Sequence, residues 1–146
     1  MIADLGSDLV TKVQGIPALL NSSSITLGGK ATDPGMLKMA VPCAWVSMKG
    51  DNEDESSLSN MAGATLVPAT QIMLGTWAVT IFVPYVDDAD MLATQYPLLE
   101  AVRDAIHATD SPSGERWCYL GQKIALVYPD RLAYEQRYSV RFVTGS

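Results

Sequence analysis

Residues 70–86 constrain the fold most, because apolar side chains occupy both alternating faces of this stretch. Met73, Trp77 and Val79 belong to one face, and Ala78 and Phe82 belong to the other. A strand with two apolar faces has to be covered on both sides, as the central strand of a sheet is. The pattern therefore predicts a layered domain built around a long central strand.

Two helices are predicted to flank this strand. Ile2, Leu5, Leu9 and Val13 recur at helical spacing, and a stop signal at residues 15–17 predicts a left-handed glycine cap followed by a proline that ends the helix. Three aspartates at positions 87, 88 and 90 predict the start of the second helix. Its apolar stripe consists of Leu92, Leu99, Val102 and Ile106. Pro97 lies inside this stripe and predicts a kink or a division of the helix.

The remaining segments favour strands. Residues 24–27 and 41–48 are strand candidates, and residues 116–144 predict a β-hairpin that turns at residues 129–131. Between positions 132 and 144 the side chains alternate between an aromatic face and a charged face. The element order α-β-β-loop-β-α-β-β predicts an α+β fold, with a mostly antiparallel sheet packed against two helices. Residues 1–146 form one predicted domain.

A long acidic loop is predicted at residues 49–64, and we expect it to be mobile. Its carboxylates, at positions 51 and 53–55, do not have the spacing of an EF-hand calcium loop. Residues 28–32 likewise fail the pattern of a phosphate-binding loop. The single histidine, His107, is interpreted as a cation at a helix C-terminus. We therefore predict no catalytic residue, no metal site and no cofactor.

Charge and cysteine content narrow the classes of function. The 146-residue chain carries a formal net charge of −6, which disfavours tight binding to nucleic acid or to an anionic membrane. Cys43 and Cys118 are predicted to be reduced, mostly buried thiols, although pairing between them stays open. Neither a signal peptide nor a membrane-spanning stretch is predicted, so we expect folding in a cytosol.

The closing segment from Tyr128 to Phe142, the opening helix, and the long strand followed by a helix with Tyr96-Pro97-Leu98-Leu99 resemble tail terminator (tail completion) proteins of tailed bacteriophages. The resemblance is one of pattern over nearly the whole chain. It implies a structural virion protein that forms a hexameric ring on the finished tail tube, stops its polymerisation and presents a surface for head joining.

The partners implied by the resemblance are further copies of the chain, the tail tube protein and a connector or neck protein on the head side. DNA would pass through the lumen without tight binding. The protein would lie at the head-proximal end of the virion tail, after assembly in the host cytoplasm. Alternatives are a head–tail neck or adaptor protein of the same virion, or a small host ligand-binding domain or enzyme. The candidate interface or lumen residues are Asp51, Glu53, Asp54, Glu55, Trp117, Tyr119, Arg137 and Arg141.

Overall fold

The structure, a computed structural model, describes residues 1–20, 41–53 and 71–144. Two helices come first, α1 (Ile2–Gln14) and α2 (Pro17–Leu20). Strands β1 (Cys43–Glu53) and β2 (Gln71–Pro84) follow. A helical segment then comprises α3 (Asp88–Asp90), a π-helical turn (Met91–Gln95) and α4 (Tyr96–Ile106). Strands β3 (Cys118–Val127) and β4 (Arg131–Thr144) complete the described chain.

The four strands form one antiparallel sheet in the order β1-β2-β4-β3. Both central strands, β2 and β4, have 14 residues and pair along their whole length. The predicted α+β class and antiparallel sheet are thus confirmed, and β2 is central as its two apolar faces require. The strand candidate at residues 24–27 lies outside the described residues.

Helices α1 and α4 cover one face of the sheet, which we call the helical face. Its core joins Leu5 and Leu9 of α1, Leu99 and Val102 of α4, and side chains of the strands such as Val79. Each fully buried aliphatic side chain of this kind contributes roughly 1.5–3 kcal/mol. On the opposite face, which we call the open face, Cys43, Trp45, Phe82 and Ala133 form a second and smaller buried cluster.

Eight apolar side chains of the first helix, the second helix and the long central strand are buried. They are Leu5, Leu9, Val79, Ile81, Phe82, Leu99, Val102 and Ile106. Phe82 differs from the others because it belongs to the cluster on the open face. Leu92 was wrongly assigned to the buried stripe: it lies in the π-helical turn and is 68% exposed. The wider turn shifts the helical phase that the periodic pattern assumed.

The ends of α1 and β1 also differ from the sequence prediction. Gly15 caps α1 with φ −69°, which is right-handed, and Pro17 begins α2 instead of ending helical structure. Strand β1 continues through Glu53, so residues 49–53 are not part of a loop. The backbone of residues 50–53 pairs with Met73–Thr76 of β2, and this pairing outweighs the low strand propensity of the acidic residues. Residues 54–64 of the predicted loop lie outside the described residues.

Candidate functional site

Strand β3 is an edge of the sheet with unusually exposed apolar side chains. Leu120 and Ile124 are each 54% exposed, and Val127 is 70% exposed. Ile124 and Val127 pair with Tyr134 and Leu132 of β4, which places them toward the helical face, beyond the cover that the helices provide. Large apolar side chains grouped along one edge are typical of an interaction surface.

The backbone of β3 is interrupted twice along this edge. Its register with β4 shifts between Tyr119 and Gly121 and again between Ile124 and Leu126, and Gly121 has φ +150°. A bulged strand is bent and locally loses its regular row of outward amide and carbonyl groups. Natural sheets use such bulges, together with charged side chains, to discourage direct strand addition at an edge. The edge therefore favours contacts through side chains over an added strand.

A charged cluster lies on the open face. The Glu135 carboxylate of β4 accepts from Lys49 Nζ at 2.9 Å and from Arg137 Nε at 2.9 Å, and it faces Lys123 Nζ at 3.7 Å. Lys49 belongs to β1, two strands away from β4. The β2 residues that pair with Arg137 and Glu135 are the small residues Ala78 and Thr80.

Glu135 is ionised by its partners despite its burial. Only 7% of its side chain is exposed. Burial by itself raises the pKa of Glu135. The hydrogen bonds from Lys49 and Arg137, together with the positive charges of these two side chains, lower the pKa by more than burial raises it, so the pKa lies below its ordinary value of 4.5. Three cations surround one carboxylate, which leaves this part of the surface positive on an acidic chain.

A groove of about 490 Å³ runs between α4 and β3 on the helical face. Tyr96 and Tyr134 meet edge to face at 6.4 Å between ring centroids, and the Arg103 guanidinium lies 6.0 Å from the centre of the Tyr119 ring. The pKa of Tyr134 is raised to about 12, first by burial and then by its contact with Tyr96. The groove can take a partner side chain or a small molecule.

Gln136 fixes the floor of this groove. Its side-chain amide nitrogen donates to the Leu99 carbonyl and to Gln122 Oε1, both at 2.8 Å, and its oxygen accepts from the Tyr138 hydroxyl at 2.6 Å. Only 1% of Gln136 is exposed. A fully satisfied amide of this kind ties α4 to the sheet and makes the groove a rigid feature.

Two of the four predicted acidic candidates, Asp51 and Glu53, belong to β1. Asp51 is exposed on β1, where it pairs with Gly75 of β2. Glu53 is the last residue of the same strand. Asp54 and Glu55 lie outside the described residues.

The predicted aromatic candidates have different environments. Trp117 is only 1% exposed, and its Nε1 donates to Asp8 Oδ2 of α1 at 2.9 Å. Its placement among interface candidates does not agree with this burial, because Trp117 joins the loop before β3 to the first helix. Tyr119 is half-buried and lines the groove. Trp117 precedes β3 and Tyr119 lies near its start, but only the Tyr119 side chain can contact a partner directly.

The predicted arginine candidates, Arg137 and Arg141, are both exposed on β4. They lie on the open face together with Glu135, since side chains two residues apart along a strand point the same way. The sequence analysis missed Lys49, Lys123 and Glu135 as members of this cluster. The alternating charges of β4 were a partial signal for the face, but not for the partners on β1 and β3.

His107 lies at the C-terminal end of α4, where the sequence places it. The backbone N–H of Tyr119 donates to His107 Nδ1 at 3.1 Å, so the histidine links the end of α4 to β3. Cys43 is buried, but Cys118 is exposed, contrary to the prediction that both are mostly buried. No disulfide joins these two described cysteines.

Within residues 1–20, 41–53 and 71–144, no group of three or more histidine, cysteine, aspartate or glutamate side chains is arranged to hold a metal ion. In the same ranges, none of the helices has the length and apolar character needed to cross a membrane. Searches with family models and against curated proteins gave no match to this chain.

Proposed function

We propose that this protein is a structural subunit of a phage tail: a terminator that forms a ring on the tail tube, ends its polymerisation and offers a surface for head joining. The observation that carries the proposal is the exposed apolar edge of the C-terminal hairpin, at Leu120, Ile124 and Val127. The resemblance of the hairpin sequence to tail terminators supplies the biological setting.

The distribution of exposed groups supports an assembly role. Ile124 of β3 and the groove beside α4 form one continuous region on the helical face, since the Ile124 side chain lines the groove. Such a region gains free energy when another protein covers it, at roughly 25 cal/mol for each Å² of apolar surface removed from water. A subunit that presents it on one edge is suited to a contact repeated around a ring.

The negative net charge of the chain fits a ring whose central channel lets DNA pass. Each chain carries −6, so six copies at −6 each carry −36 in total. A negative field around the channel would repel the DNA phosphates, so DNA could pass without being held.

Phage assembly without this chain tests the proposal. We expect tails of abnormal or variable length that fail to join heads, seen by negative-stain electron microscopy. Tails of normal, uniform length that join heads efficiently would defeat the terminator proposal. Normal-length tails that remain unattached would instead support the neck or adaptor alternative.

A matched pair of variants tests the surface that carries the proposal. Val127 and Val86 are the same residue type and are both 70% exposed, but only Val127 lies on the β3 edge. Val127→Asp should impair tail completion, and Val86→Asp should not. Equal effects of the two substitutions would remove the β3 edge from the proposal.

A further inference from the structure

A cavity of about 170 Å³ lies on the open face, at the first bulge of β3. Gly121 of β3 pairs with Arg137 of β4 there, and two residues further along β3 Lys123 pairs with Glu135. The Gly121 corner of this cross-strand square holds no side chain, and a β-carbon at that position would meet no described atom within 4 Å. Its φ of +150° favours glycine at this position. Leu120, which the register skips, also borders the cavity.

Three cations lie around the carboxylate of Glu135, and we call Lys49, Lys123 and Arg137 the cationic cluster. Lys49 Nζ and Arg137 Nε each lie 2.9 Å from the carboxylate, and Lys123 Nζ lies 3.7 Å away. Three positive charges against one negative charge leave an excess of two positive charges, on a chain whose net charge is −6. This excess makes the cluster a place where an anion from outside is stabilised.

Two of these cations border the cavity with donors that the described chain does not use. Lys123 is too far from Glu135 for a hydrogen bond, so its three N–H donors remain available. Arg137 donates to Glu135 through Nε, and no described residue accepts from its two terminal nitrogens. Their side chains are 62% and 45% exposed, so both are accessible from solvent. Lys49 does not border the cavity, and it offsets the charge of Glu135 from the β1 side.

We propose that this cavity binds the carboxylate of an acidic side chain on a partner protein, an inference that goes beyond the proposed function because it does not depend on a role in the tail. The planar guanidinium of Arg137 presents its terminal N–H groups in the fork geometry that matches a carboxylate. Lys123 adds a second charged donor. Leu120 is 54% exposed, so the aliphatic stem of the incoming residue can pack against it.

A protein carboxylate fits the cavity better than the phosphates of a nucleic acid. Binding to duplex DNA gains its free energy from many cations that neutralise successive phosphates. The cavity offers two cations within one small hollow beside an exposed leucine, and the acidic chain as a whole repels a polyanion. This arrangement suits a single acidic residue with an apolar stem.

Titration of the full isotope-labelled chain, followed by nuclear magnetic resonance at constant ionic strength, tests the inference. The probe is the capped dipeptide acetyl-Leu-Glu-amide, and the control probe is acetyl-Leu-Gln-amide, which has nearly the same shape and no charge. The signals to follow are the backbone amides of Leu120 and Gly121 and the Nε–H of Arg137. The same spectra show whether each variant is folded.

We expect the charged probe to bind in the millimolar range and the neutral probe at least about tenfold more weakly, because charge-assisted hydrogen bonds are the stronger ones. Arg137→Gln should weaken the charged probe about tenfold, and Lys123→Gln about fivefold. Lys123→Gln is the sharper variant, since Lys123 forms no hydrogen bond to a described residue and its loss should leave the fold intact. Arg116→Gln, at a side chain that is 74% exposed and outside the cavity, is the matched control and should change little.

Four results would overturn the inference. The first is an absence of shifts in these signals at tens of millimolar of the charged probe, and the second is equal binding of the two probes. The third is a loss in Lys123→Gln no larger than in Arg116→Gln. The fourth is duplex DNA binding, followed by fluorescence anisotropy, that Lys123→Gln abolishes, which would assign the cavity to phosphates. The tail-length experiment decides the terminator proposal separately in every case.

Discussion

The two faces of the sheet satisfy buried polar groups in different ways, and adjacent residues of β4 illustrate both. Gln136 on the helical face makes neutral hydrogen bonds to Leu99, Gln122 and Tyr138. Glu135 on the open face is held by cations whose own side chains remain in contact with solvent. The helical face is therefore organised for stability, whereas the open face keeps charge available at the surface.

The largest effect that tests this contrast is expected at Trp117, which joins the hairpin to α1. Trp117→Ala should lower the free energy of unfolding by about 3–5 kcal/mol, because it empties a fully buried site and removes the bond to Asp8. Urea denaturation of the isolated subunit measures it. If Trp117 acted only at an interface, the isolated subunit would keep its stability.

Leu99 tests the packing of α4 on the sheet. Its side chain is 3% exposed, so Leu99→Ala should cost about 2–5 kcal/mol in the same measurement. Leu92→Ala is the matched control: the same change at a position 68% exposed should cost less than about 0.5 kcal/mol. A Leu99→Ala cost as small as that of the control would contradict the burial of this helix.

Gln136 tests the neutral polar arrangement of the helical face. Gln136→Leu should cost about 1–3 kcal/mol, since the Tyr138 hydroxyl loses its acceptor in the core. Adding Tyr138→Phe to this variant should recover part of the loss, because the unsatisfied hydroxyl is removed. Additive costs in the double variant would show that the two side chains do not depend on each other.

The fold was predictable where one periodic pattern dominated. The two apolar faces of residues 70–86 required a central strand, and the stripe of Leu99, Val102 and Ile106 required a buried helix face. Leu92 could not be assigned correctly, because a π-helical turn changes the period that the pattern assumes. The strand at residues 49–53 depends on backbone pairing with β2, and the acidic side chains of this stretch do not indicate such pairing.

The charged cluster was unpredictable for a geometric reason. Val127 pairs with Leu132 and Leu126 with Ala133, and this register without interruption would set Lys123 opposite Gln136, on the helical face. The bulge between Ile124 and Leu126 shifts the pairing by one residue and sets Lys123 opposite Glu135. A shift of one residue exchanges the faces, so the cluster depends on a local irregularity that the alternation pattern does not contain.

The smallest effect is expected at Glu135, and its pH dependence separates the two faces. Glu135→Gln keeps the shape but removes the charge that three cations surround, and with partners this exposed the cost at about pH 7 should be roughly 0.5–1 kcal/mol. Because the folded pKa of Glu135 is lowered, its stabilisation is present above the ordinary value of 4.5 and is lost as the pH falls through the folded pKa. The wild type and Glu135→Gln should therefore converge in stability below that pKa, and added salt should narrow the gap at neutral pH.

Gln136→Leu provides the comparison, since a neutral amide has no such titration and its cost should stay constant over the same pH range. Urea denaturation of both variants from about pH 7 down to about pH 3 measures the difference; a gap for Glu135→Gln that widens on acidification would contradict the ionic role of the open face.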